Sequence, residues 1–152
     1  MKKGLGLTLV MMLLAGSLYA ASSTFNVQMM IRQPIAITQV SALNFGTIEL
    51  PAVATNYTVV PGAGPHTAGT AATAAQFSVT GEPTALATAS IPASVTAVNG
   101  ATTLTFNLAL SQTAITFGAG ATTLYVGGNV NVPSTATLGT YATTALLTVL
   151  YN

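Results

Sequence analysis

The chain has 152 residues, 51% hydrophobic and 3% charged, with a formal net charge of +1 and neither cysteine nor tryptophan. With no aspartate and one histidine, His66, it cannot build a Ser-His-Asp triad or a two-aspartate acid–base pair, and a metal site could draw only on Glu49, Glu82 and His66. Three cations are too few to neutralise a nucleic-acid backbone.

In chain order, Lys2 and Lys3 precede an apolar stretch from Leu5 to Leu14, followed by Ala15-Gly16-Ser17-Leu18-Tyr19-Ala20. A basic start, an apolar middle and a small residue at the end predict a secretory signal peptide over 1–20, cut after Ala20 or one residue later. The rival reading, an uncleaved anchor, suffers because a spanning helix needs roughly 20 apolar residues. Cleavage removes both lysines. Arg32, Glu49 and Glu82 remain, so the formal charge becomes 1 − 2 = −1. The remaining length suits one hydrophobic core, which must hold without disulfides.

Beyond residue 20, threonine, alanine, valine and glycine dominate, and helical periodicity is weak. β-Branched residues suit a pleated, half-buried surface. Strands are predicted over 25–31, 35–40, 44–48, 56–60, 76–80, 94–98, 102–108, 123–126, 129–132 and 141–151. So many short strands at regular spacing predict an all-β, immunoglobulin-like antiparallel β-sandwich. Asn99-Gly100 predicts a hairpin with a type I′ turn. Gly127-Gly128 reads as a turn or a bulge, and 61–75, rich in Gly, Ala and Thr, as a long loop.

The remaining motifs carry little chemistry. Gly62-Ala63-Gly64 and Gly118-Ala119-Gly120 lack the third glycine and the following helix of a phosphate loop. His66 reads as a solvated loop residue, and Asn56-Tyr57-Thr58 as a chance glycosylation triplet. Glu49, before Leu50-Pro51, and Glu82, before Pro83, sit at predicted strand ends and read as solvated edge charges. They are formally the only carboxylate pair for a glycosidase, without polar neighbours to bind a sugar. No catalytic residue, metal ligand or cofactor is assigned.

The two ends carry the clearest pattern. Phe25, Val27, Met29 and Ile31 alternate with Asn26, Gln28 and Met30, giving a strand with one apolar face just before Pro34. Tyr141, Thr143, Ala145, Leu147, Val149 and Tyr151 share one face of a long final strand. Either both strands belong to a self-contained sandwich, or the first pairs with a neighbouring subunit by filling a groove in its sheet.

Leu43-Asn44-Phe45-Gly46-Thr47-Ile48, Phe77-Ser78-Val79-Thr80-Gly81, Leu124-Tyr125-Val126-Gly127-Gly128 and Gly139-Thr140-Tyr141 leading to Val149-Leu150-Tyr151 occur in that order. The set resembles a family of small exported bacterial β-domains of unknown function, similar to spore-coat-U-like and archaic chaperone–usher pilin subunits. Such pilins typically carry a penultimate aromatic and a glycine fourteenth from the end, the places of Tyr151 and Gly139. The resemblance implies 21–33 as an N-terminal extension and 34–152 as a pilin-like sandwich. It implies Phe25, Val27, Met29 and Ile31 as the donor face, and Gly139, Tyr141, Leu147, Val149 and Tyr151 as the acceptor groove and C-terminal strand. The pilin disulfide is missing, and the extension before Pro34 is short.

The expected function is a non-enzymatic structural subunit of an extracellular, cell-surface pilus-like filament, exported through the periplasm and assembled by donor-strand complementation. Its expected partners are copies of itself, with a periplasmic chaperone and an outer-membrane usher, and no nucleic acid. A monomeric secreted adhesin that binds through the 61–75 loop is the alternative. An outer-membrane barrel is a third reading, opposed by the lack of long polar loops and aromatic girdles.

Overall fold

Apolar side chains alternate with threonine, serine or asparagine along several stretches, and there the backbone runs as antiparallel strands. The computed structural model describes residues 21–152, so the signal-peptide reading of 1–20 lies outside the described residues. Among the described residues the strands are β1 (Ala36–Ser41), β2 (Thr55–Val59), β3 (Ala75–Thr80), β4 (Leu86–Ser90), β5 (Ser94–Asn99), β6 (Thr102–Leu110), β7 (Ala114–Thr116), β8 (Thr122–Val132) and β9 (Thr148–Tyr151). The expected all-β sandwich is what forms. One sheet has the order β1-β3-β8-β6-β5, with β2 also on β8, and the other is β7-β4-β9.

The larger sheet is organised by β8. On one edge it pairs with β6, from Phe106↔Val130 to Leu110↔Val126. Its other edge pairs first with β3, up to Ala75↔Val126, and then with β2, from Val59↔Gly128. Gly127-Gly128 is therefore neither turn nor register shift but the place where β8 changes partner. A Cβ at Gly127 would lie 2.2 Å from the Val59 carbonyl oxygen, and one at Gly128 would lie 2.3 Å from that of Asn107. Only glycine lets both neighbours approach so closely. On the exposed face, Asn107 donates to Asn129 at 3.1 Å and Asn131 to Asn56 at 2.9 Å, tying three strands together.

Two apolar clusters fill the interior. The first, Val79, Ala87, Ala89, Ile115, Phe117, Leu124 and Val149, lies between the two sheets. The second, Leu104, Val130, Val132 and Ala136, is joined by half-buried Phe45, Tyr57, Phe106 and Tyr141. Among the described residues no polar side chain is buried.

Several expectations need correcting. The expected strands 123–126 and 129–132 are one strand, β8, and β4 and β7 were not foreseen. The 44–48 strand reduces to single bridges, Asn44↔Thr73 and Thr47↔Thr70, which stitch it to the 61–75 loop. The β5–β6 turn centres on Gly100-Ala101, because Asn99 already pairs with Thr102. Gly100 alone has positive φ there, at 57°, the pattern of type II′ rather than type I′. The 141–151 strand survives only as Thr148–Tyr151. Residues 25–31 form no strand.

The chain divides into two units, Met1–Ile31 and Arg32–Asn152. Of the first, residues 21–31 carry exposed apolar side chains, with Phe25 83%, Val27 81%, Met29 83% and Ile31 81% accessible. The second holds both sheets.

Candidate subunit-docking groove

The three-stranded sheet is too small to cover the six-stranded one. It covers the first cluster and leaves the second roofed only by loops. β9 pairs with β4 from Ala87↔Tyr151 to Ser90↔Thr148. In that register the next partner of the preceding residues would be Ile91 and then Pro92, which has no N–H to donate, so the ladder stops. Residues 140–147 consequently run on without a strand partner. Among the described residues no main-chain hydrogen bond engages them. Eight residues expose on the order of 25 Å of strand edge.

Beside this edge opens a groove of about 740 Å³. It is lined by Phe77, Leu104, Phe106, Val126 and Val130 of the large sheet and by Phe45. Phe45 and Phe106 pack at 5.2 Å between ring centroids. One bank is formed by Gln39 of β1 and by Leu43 just beyond it, and among the described residues the edge of β1 away from β3 carries no partner strand. The other bank is 138–147.

The second bank is held at its start. Asn99 donates its side-chain amide to the Leu138 carbonyl at 3.1 Å. Gly139, at φ 137°, sits so close to that amide that a Cβ would lie 2.6 Å from Asn99 Nδ2. The Thr137 N–H donates to Thr102 Oγ1 at 2.9 Å, and the Tyr141 hydroxyl to the Thr137 carbonyl at 2.8 Å. From Thr143 to Leu146 the side chains are exposed.

At the opposite end of the sandwich, Tyr151 meets the start of the second unit. Its hydroxyl accepts from the Glu82 N–H and donates to the Gln33 carbonyl, both at 2.7 Å. Its ring lies edge-on to Phe117 at 5.8 Å. The Arg32 guanidinium stands 5.4 Å from the ring centroid, and Arg32 Nε is 3.8 Å from Glu82 Oε2. Glu82, expected as a solvated edge charge, is therefore paired. With both side chains 39% exposed, the pair contributes at most about 1 kcal/mol. His66 is no free loop residue either, since its Nδ1 accepts the Val60 N–H at 3.1 Å.

Of the expected acceptor residues, Gly139, Tyr141 and Leu147 line the groove. Val149 is buried in the first cluster, and Tyr151 packs at that cluster's edge. Phe25, Val27, Met29 and Ile31 lie together on an exposed segment. Sequence reasoning missed the aromatic lining, Phe45, Phe77 and Phe106. Their spacing carries no signal, because each comes from a different part of the chain. Among the described residues no three His, Cys, Asp or Glu side chains converge.

No curated protein and no solved structure matches the chain. Residues 35–151 match one family along their whole length. The chain thus belongs to the family described as a domain of unknown function, DUF4402.

Proposed function

We propose that this protein is a structural subunit of an extracellular pilus-like filament, assembled when each copy donates residues 25–31 to the groove of the next. The observation that carries this reading is the unpaired 140–147 edge beside an apolar groove. Main-chain groups without partners, beside a groove lined by half-buried Phe45, Phe77 and Phe106, are what an added strand satisfies together. The alternating Phe25, Val27, Met29 and Ile31 supply such a strand, each side chain contributing roughly 1.5–3 kcal/mol when fully buried. The ordering of two chains opposes part of that sum. Donor and acceptor are different segments of one chain, so the contact is head-to-tail and grows into an open polymer.

The likeness to spore-coat-U-like and chaperone–usher subunits supports the same reading. It extends the proposal to a periplasmic chaperone that shields the groove and an outer-membrane usher that exports the subunit. The role is structural, with no reaction catalysed and no cofactor used. Negative-stain electron microscopy of protein sheared from the cell surface tests it. Thin fibres that vanish in Phe25→Asp and Val27→Asp variants are expected. Dispersed, folded single particles from the unaltered chain would refute the filament and return attention to a monomeric adhesin.

A further inference from the structure

The groove and the Tyr151 cluster lie at opposite ends of the same two strands. β1 starts beside the cluster, where Ala36 pairs with Thr80, and ends at the groove with Gln39 and Leu43. The C-terminal run goes the other way, from 140–147 at the groove to Tyr151 at the cluster. A segment that precedes β1 can enter its own groove only by reversing direction just before β1.

Each residue at that point is held. Arg32 faces Glu82 and the Tyr151 ring. Gln33 gives its carbonyl to the Tyr151 hydroxyl. Pro34 has a fixed φ and confines Gln33 to extended conformations. Ile35 packs against the first apolar cluster. The Glu82 side is equally set, since Thr84 two residues on has φ 69°, a strained value for a β-branched residue. That turn is fastened by the Thr84 N–H donating to the Phe117 carbonyl at 2.8 Å and the Ala85 N–H to that of Glu82 at 3.1 Å. Two of the three charged residues beyond residue 20 converge here.

We propose that Tyr151 is a positioning residue which, with Arg32, Gln33 and Glu82, holds the root of the donor segment against turning back into its own groove. The segment is thereby left for a second copy of the chain. The clamp rests on the donor-strand reading and adds what decides between donation to a neighbour and closure on itself.

The test compares polymer and monomer recovered from cells exporting the full chain. Tyr151→Phe keeps the ring against Phe117 and Arg32 but removes both hydroxyl bonds. Pro34→Gly frees the root without touching those bonds. Both variants are expected to raise the monomer fraction severalfold, in monomers whose Phe25 resists chymotrypsin because 21–31 occupies its own groove. Unchanged polymer in both, or extra monomer still cut at Phe25, would overturn the clamp. A Phe25→Asp control separates the two ideas. If it polymerises like the unaltered chain, the donor-strand reading fails and takes the clamp with it. If it is monomeric while Tyr151→Phe and Pro34→Gly polymerise as before, only the clamp fails.

Discussion

The two ends of this sandwich are built from similar side chains and packed to different degrees. At the end closed by β7, β4 and β9, Phe117, Ile115, Leu124 and Val79 are almost inaccessible. At the other end, Phe45, Phe77 and Phe106 remain half-buried around an open groove. The difference lies in the strand count, since the smaller sheet stops where β4 runs into Ile91-Pro92. Apolar composition alone does not close a core. A layer also needs enough paired strands to cover its partner.

The closed end should be the expensive one to damage. Phe117→Ala is expected to cost about 3–5 kcal/mol, read as a lower denaturant midpoint, because the cavity it leaves is fully enclosed. A cost below about 1 kcal/mol would mean that this end is not the packed one.

Supplying the missing strand should narrow the difference. For a chain beginning at Arg32, a peptide of residues 24–31 at a hundredfold excess over its dissociation constant is expected to add about 2.7 kcal/mol to unfolding stability. No shift in melting temperature across the accessible peptide range would show that the groove does not take this segment.

The smallest effect belongs to the open end. In the subunit without a donor, Phe106→Ala should cost roughly 1–2 kcal/mol, since its ring is already half exposed to the groove. In the proposed polymer the same change should cost more, because a donated strand would bury what is left. Equal midpoint shifts in the two states would argue that nothing covers Phe106 on assembly.

The legibility of these two ends in the sequence differed in an instructive way. Strands of the large sheet were readable because apolar and polar side chains alternate with period two, as for Leu104, Phe106 and Leu108 against Thr103, Thr105 and Asn107 in Thr102–Leu110. The smaller sheet was hidden by its own residues. In β4 the buried side chains are Ala87 and Ala89, each 1% accessible, while Leu86 points outward at 55%. Hydropathy therefore points to the wrong face. β7 is three residues long, too short for a pattern. The expected strand over 141–151 fails in its first part, 141–147, because pairing depends on a distant partner, and Pro92 removes it. The groove inherits that difficulty. Phe45 and Phe77 fall inside short motifs, yet nothing local says that they line one groove with Phe106 and Tyr141.

The shared central strand has a consequence for how the chain reaches this state. β8 supplies the hydrogen-bonding edge for β2, β3 and β6, and its pairing with β2 joins Val59 to Gly128. Until Thr122–Val132 is present, β2 has no strand to pair with, and the β1–β3 pair has nothing to join it to β6 and β5. Order must then arise through contacts between residues far apart along the chain, the kind that slows folding by orders of magnitude relative to local ones. Meanwhile the polypeptide carries unpaired strands with little charge to keep them apart. Its most dangerous interval is kinetic: the time between the arrival of Thr55–Val59 and that of the strand it must pair with.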